Sequence, residues 1–205
     1  MKVLMINGSP HENGSTRRAL DEVAKVLNGQ DIETEIITVG NKAIVGCTAC
    51  CACSKLGKCV TDDIVNEIIE KLKVADGLVV GSPVYYASMN GTLKSVLDRV
   101  FFGKTCFANK PAAAIAVARR AGTTQTVDAI NKYFAISNMP IVSSQYWNMA
   151  FGSNAEQVAS DEEGMQTMRT LAKNMAWLLK CIDLGKERGI TPPVHEQKVK
   201  TNFIR

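Results

Sequence analysis

Seven cysteines are spread unevenly through the chain, and five of them fall between Cys47 and Cys59. Cys47, Cys50, Cys53 and Cys59 follow the spacing C-x2-C-x2-C-x5-C. Four thiolates packed this closely can wrap a 4Fe–4S cube. The same four can hold tetrahedral zinc, and spacing alone does not separate the two. Cys51 falls outside the pattern and reads as a spare thiol. In a small secreted protein such density would point to disulfides; in a chain of alternating strands and helices it points to metal or redox chemistry. Cys106 and Cys181 stand alone and read as packed residues, since a free cysteine behaves as a small buried hydrophobe.

The second group of chemistry-bearing residues is Gly8-Ser9-Pro10-His11-Glu12-Asn13-Gly14-Ser15-Thr16, which follows an apolar run and opens a helical pattern. Hydroxyls and unpaired N–H groups at a helix N-terminus suit a phosphate. Ser9, His11, Asn13, Ser15 and Thr16 are the candidate contacts. Neither a P-loop nor a dinucleotide fingerprint is present, and an ordinary capped turn uses the same residue types. A third group is Ser82-Pro83-Val84-Tyr85-Tyr86. Its tyrosines can flank a flat aromatic ring, with one of the two expected to pack in the core. Arg119, Arg120 and Gly122 form a fourth. An arginine there can stabilise negative charge on a bound group, while at least one of the two is expected to be a solvated surface charge. No Ser/His/Asp set or carboxylate pair implies hydrolysis. His195 lies in a polar tail and is assigned no role.

These residues need a scaffold, and the hydrophobic pattern supplies one. Apolar runs predict strands at Lys2 to Asn7, Gly77 to Gly81 and Ala112 to Ala118, alternation of charged and apolar residues predicts one at Glu33 to Thr38, and Pro140 to Tyr146 reads as a fifth. Helical spacing predicts helices from Thr16 to Leu27, after Asp62-Asp63, from Gly91, from Val127 to Phe134 and from Asp161 to about Lys186. Ser15 or Thr16 is expected to cap the first. The methionines from Met165 to Met175 have core spacing. Repeated strand–helix alternation implies one α/β domain: a three-layer, flavodoxin-like sandwich around a five-stranded parallel sheet of order 2-1-3-4-5. Residues 1–205 form that domain, with a cysteine-rich insertion at about 40–61 and an extended tail from about 189. Ligands in such sheets bind beyond the carboxyl ends of the strands. The loops leaving that edge, after Asn7, Thr38, Gly81, Ala118 and Tyr146, contain nearly every unusual feature of the sequence.

Composition narrows the function classes. Apolar residues at 46% and charged residues at 21% suit a globular chain rather than a disordered one. A net charge of +4 without basic runs beyond pairs such as Arg119-Arg120 disfavours nucleic-acid binding. No signal-like stretch and no run of ~18 apolar residues is visible, so no membrane association and a cytoplasmic location are expected.

Three segments carry a family resemblance: Gly8-Ser9-Pro10, Ser82-Pro83-Val84-Tyr85 leading to Leu97-Asp98-Arg99, and Ser160-Asp161-Glu162-Glu163-Gly164-Met165. With these the chain resembles the NADPH-dependent FMN reductase family, particularly its iron–sulfur flavoprotein branch, to about Lys180. The resemblance implies FMN on the phosphate loop and on the Ser82–Tyr86 and Arg119–Gly122 loops. It favours a 4Fe–4S cluster over zinc on Cys47, Cys50, Cys53 and Cys59. It also implies NAD(P)H or a ferredoxin-like donor, a small-molecule acceptor, and a homodimer or homotetramer. His11 stands where the family often has arginine or lysine; a neutral imidazole still donates one hydrogen bond. The cysteines are expected on the flavin-bearing rim, within one subunit or facing a neighbour's flavin. Two other readings are an NAD(P)H-dependent flavin or quinone reductase without a cluster, and a zinc-stabilised non-catalytic module.

Overall fold

The computed structural model describes all residues except 104–106, 195, 198, 200, 202, 204 and 205. Cys106 and His195 therefore lie outside the described residues. Three strands, β1 (Lys2–Asn7), β3 (Gly77–Tyr85) and β5 (Ala112–Ala118), form the centre of the sheet, with β2 (Glu33–Thr38) on one edge. The opposite edge is the short β6 (Met149–Phe151), giving the order β2-β1-β3-β5-β6 with every neighbour parallel. This is the expected order once one small addition is counted: β4 (Ser88–Met89) folds back antiparallel on the end of β3.

Helices cover both faces. α3 (Ile64–Val74), α4 (Gly91–Phe102) and α5 (Thr123–Ile136) bury their apolar stripes on one side, with Val65, Ile68, Leu93, Val96, Val127 and Ile130 in a common core. α1 (Ser15–Asn28) and α7 (Glu162–Glu187) cover the other side through Leu20, Val23, Met168, Leu171 and Met175. The methionine stripe is core, as its spacing indicates. β5 is built almost wholly from alanine and is buried along its whole length, which lets helices approach it closely from both faces.

Three features depart from expectation. The fifth parallel strand was expected at Pro140 to Tyr146, but the ladder touches β5 only at Ile141 and resumes at Met149. Between them Ser144 Oγ accepts from the Tyr146 N–H and donates to its carbonyl, and Asn148 Nδ2 bonds Val142 O at 3.3 Å. Such local side-chain bonds compete with a ladder, and on a sheet edge they win. The loop on this edge therefore leaves after Phe151 rather than Tyr146. It leads into α6 (Ala155–Ser160), which the hydrophobic pattern did not signal. Cys181 is exposed rather than packed, because the 26-residue α7, about 39 Å long, carries it past the core. Beyond Gly189 the described residues form neither helix nor strand. No helix among the described residues is long and apolar enough to cross a membrane.

Candidate functional site

The phosphate-loop candidate is shaped from beneath by three polar side chains at the ends of neighbouring elements. Asn7, fully buried at the end of β1, accepts from the Ser9 N–H at 3.1 Å. Its amide donates to His11 O and to Thr38 Oγ1, each at 3.3 Å. Ser9 is buried, and its Oγ accepts from the His11 N–H at 3.1 Å. From the other side Asn90 Nδ2 donates to Gly8 O at 2.7 Å. Gly8 itself donates to Gly81 O at 2.8 Å. A Cβ at Gly8 would sit 2.5 Å from Leu93 Cδ2 and 2.9 Å from Gly81 O, so only glycine lets the loop lie this close to β3 and α4. Asn7, Thr38 and Asn90 were not among the residues singled out from sequence. The one local signal was a polar residue closing β1 after four apolar ones.

The N-terminus of α1 is open. Ser15 and Thr16 do not cap it as expected; they are its first two helical residues, and Gly14 is the N-cap with no side-chain bond. By contrast Asp63, Asn90, Asn154 and Asp161 cap α3, α4, α6 and α7. The orphan N–H groups of the first turn of α1 and its positive dipole end thus face the loop with no protein acceptor from the cap. The Thr16 hydroxyl is buried and has no hydrogen-bond partner among the described residues. An uncapped first turn and an orphaned hydroxyl fit the phosphate of FMN, with Ser9 buried and His11 and Asn13 exposed around it.

The same edge carries the other two loops. Ser82 is fully buried, and its hydroxyl accepts from the Asn90 N–H at 3.1 Å and donates to Pro83 O at 2.8 Å. Its side chain is thus committed inside the protein. Pro83 continues β3 opposite Val117, and Val84 and Tyr85 pair with Met89 and Ser88 in the short hairpin. Tyr86 sits at its tip with φ 56°, a sparsely populated backbone region for a bulky residue. Tyr85 is 45% exposed and Tyr86 fully so, and this corrects the expectation that one of them packs in the core. The hairpin carries both beyond the sheet. Gly122 adopts φ +85°, and a Cβ there would lie 2.8 Å from Val84 Cγ1. That contact seats the β5–α5 loop on the β3 hairpin and places Arg119 and Arg120, both exposed, on the same edge. Asp161 and Gly164, in the Ser160–Met165 motif, serve the helix start: Asp161 accepts from the Gly164 N–H at 2.9 Å and the Phe151 N–H at 2.7 Å.

All five clustered cysteines line one pocket, together with Arg99 and Phe102 from the last turn of α4. Ala49 and Cys51 both have positive φ, 54° and 58°, so the chain reverses sharply on each side of Cys50. Cys53 opens a single helical turn, α2 (Cys53–Leu56). Cys59 is the fixed point. Asn66 clamps its backbone, accepting from its N–H at 2.8 Å and donating to its carbonyl at 3.1 Å. Arg99 Nε donates to its Sγ at 3.3 Å. Burial alone would push the Cys59 thiol up, but hydrogen bonds from the Thr61 backbone and Arg99 outweigh it and hold the thiol below its ordinary value. Cys47, Cys50 and Cys51 are exposed, and Cys53 is half-buried.

Among the described residues no carboxylate or imidazole lines this pocket. That donor set is thiolate alone, which fits a cluster or a soft metal. Among the described residues no three His, Cys, Asp or Glu side chains lie close enough together to hold a single metal ion. A cube places one thiolate on each of four irons, so its ligands stand further apart than those of one tetrahedral zinc. The pocket shares no residue with the phosphate loop or with Ser82–Tyr86. It lies against the far half of α4, with Arg99 about 13 Å along the helix axis from Asn90.

The model of the NADPH-dependent FMN reductase family matches residues 1–154 of this chain. The chain is 34% identical over 191 residues to an iron-sulfur flavoprotein of Methanocaldococcus jannaschii, covering 89% of this chain and 99% of that protein. It is 31% identical over 194 residues to an iron-sulfur flavoprotein of Methanosarcina thermophila, covering 92% and 100%. Among solved structures, RosB with a bound intermediate superposes with a TM-score of 0.70 at 15% identity, covering 98% of this chain and 92% of RosB. A flavodoxin from the domain Archaea gives 0.61 at 14% identity, covering 88% and 99%. At those identities the structural likeness is one of fold, and it agrees with the flavodoxin-like sheet. The sequence matches, read with the open phosphate loop, make the chain a member of the NADPH-dependent FMN reductase family: a redox flavoprotein and FMN-dependent oxidoreductase.

Proposed function

We propose that this protein moves electrons between FMN and a 4Fe–4S cluster held by Cys47, Cys50, Cys53 and Cys59. FMN accepts electrons in pairs and releases them singly or in pairs, which suits it to join a two-electron donor to a one-electron centre. Ser9, His11, Asn13, Ser15 and Thr16 hold the phosphate. The backbone of Ser82 and Pro83, with Val84, Tyr85, Tyr86, Arg119, Arg120 and Gly122, borders the ring. The donor is NAD(P)H or a ferredoxin-like protein, and the acceptor is a small molecule. The protein acts as a homodimer or homotetramer in the cytoplasm, where a reducing environment keeps so many thiols unpaired.

The observation that carries this reading is the double use of α4. Asn90 at its start fastens the phosphate loop, while Arg99 near its end fastens the cysteine pocket. A vestigial loop needs no buried guanidinium to hold it. The competing reading, an NAD(P)H-dependent reductase without a cluster, draws on the exposure of Cys47, Cys50 and Cys51 and on a 30% identity over 139 residues to an NADPH azoreductase of Bacillus.

Anaerobic purification followed by a visible spectrum with iron, acid-labile sulfide and flavin analysis separates them. A cluster adds broad absorption to the two flavin bands, with about four irons per chain. Flavin bands with neither iron nor sulfide would leave the plain reductase. A colourless protein containing zinc would return the non-catalytic module.

A further inference from the structure

Arg99 and Glu22 are the two charged residues that are buried among the described residues. Glu22 serves packing between α1 and α7 through Arg18 and Arg169. Arg99 serves the cysteines, and its fork is fully occupied. Nη1 donates to Asp63 Oδ2 at 2.6 Å and Val45 O at 3.3 Å. Nη2 donates to Asp63 Oδ1 at 2.9 Å and Thr61 O at 3.1 Å. Nε, the fifth N–H, is left for Cys59 Sγ at 3.3 Å. With every other donor spoken for, the guanidinium cannot swing away, and the direction of the N–H toward sulfur is fixed by the fold.

The Asp63 carboxylate already compensates the charge of the guanidinium, so neutralising a thiolate is not what requires Arg99. A simple latch between the loop and α4 would be satisfied by the bonds to Val45, Thr61 and Asp63. The N–H aimed at sulfur is what remains unexplained. Hydrogen bonds to ligand sulfurs, together with net charge and solvent exposure, set the potential of an iron–sulfur cluster. A donor on sulfur favours the reduced form, which carries the greater negative charge, and it does so most strongly where solvent is excluded.

We propose that Arg99 is a positioning residue that raises the reduction potential of the cluster through its Nε–H bond to Cys59, with Asp63 as the counterweight that limits the effect. This rests on the cluster reading above. The test is an anaerobic redox titration of the cluster- and FMN-loaded protein, following the cluster by electron paramagnetic resonance and the flavin by absorbance. Arg99→Gln should move the cluster midpoint to more negative potential, and Arg99→Lys, which keeps the charge but has no Nε–H aimed at Cys59, should not restore it. Asp63→Asn should move it to more positive potential, since asparagine still caps α3 but no longer offsets the guanidinium. The flavin midpoint should stay in place in all three. A role of charge alone predicts a wild-type midpoint in Arg99→Lys. Unchanged cluster midpoints at wild-type iron content would overturn the assignment while leaving the cluster reading intact. If Arg99→Gln loses its iron, Asp63→Asn alone decides, and an unshifted midpoint there overturns the proposal. Wild-type protein without iron or sulfide would overturn the cluster reading, and this assignment with it.

Discussion

Thr16→Val removes one hydroxyl and leaves the shape of the side chain nearly unchanged. That hydroxyl is buried with no hydrogen-bond partner among the described residues, a state that costs about 1–3 kcal/mol relative to a satisfied group. Valine should therefore stabilise the apo-protein, by about 1 kcal/mol once its own packing is counted. In a domain of this size that raises Tm by about 2–4 °C. Flavin binding should respond in the opposite direction. The hydroxyl is covered as well as unpartnered, so reaching a phosphate goes with a turn about χ1, for which a helical threonine has two wells. Losing a charge-assisted bond there costs about 1.5–3 kcal/mol, a weakening of FMN binding of about 10- to 150-fold. Removing the Ser15 hydroxyl as well should weaken binding further. Thermal unfolding of the apo-protein and a fluorescence titration with FMN measure the two effects separately. An apo-protein that melts lower, with unchanged FMN affinity, would refute the reasoning: the hydroxyl would then be a packing element with a partner of its own.

Asn90→Ala removes the α4 cap and strands the buried Gly8 carbonyl, so urea unfolding should show a loss of about 2–4 kcal/mol and FMN titration a weaker complex. Of Tyr85→Ala and Tyr86→Ala, at least one should alter the absorption spectrum of bound flavin; two wild-type spectra would remove this hairpin from the ring site. Glu22 is held below its ordinary carboxylate range: burial pushes it up, but Arg18 and Arg169 outweigh that. A carboxyl lowered by folding stabilises fully above its unfolded pKa near 4.5, and that stability is lost as pH falls through the folded value. Unfolding midpoints of Glu22→Gln should therefore fall below wild type at neutral pH and converge with it in acid.

What the sequence made legible was whatever is encoded within a few residues. Continuous apolar runs located β1, β3 and β5, and helical periodicity located the major helices, because burial on both faces or on one stripe leaves a local pattern. The edge strand was misplaced because its competitor was also local: Ser144 and Asn148 offered the backbone other partners. The loops of the carboxyl edge were identified from their residue types, but their scaffolding was not. Asn90 meets Gly8 across 82 positions of sequence, and Arg99 meets Cys59 across 40. Nothing in a window of ten residues announces either contact. Both tyrosines proved exposed because a two-residue hairpin, not a longer strand, follows Val84.

The span of α4 between Asn90 and Arg99 has a consequence for how this protein tolerates change. Adding or deleting one residue inside it would turn one end relative to the other by about 100° and slide it by about 1.5 Å. Either Asn90 would keep its bond to the Gly8 carbonyl, or Arg99 would keep its bond to the Cys59 sulfur, but not both. The spacing between the phosphate loop and the cysteine pocket is thereby written into a stretch of helix that cannot change length by small steps.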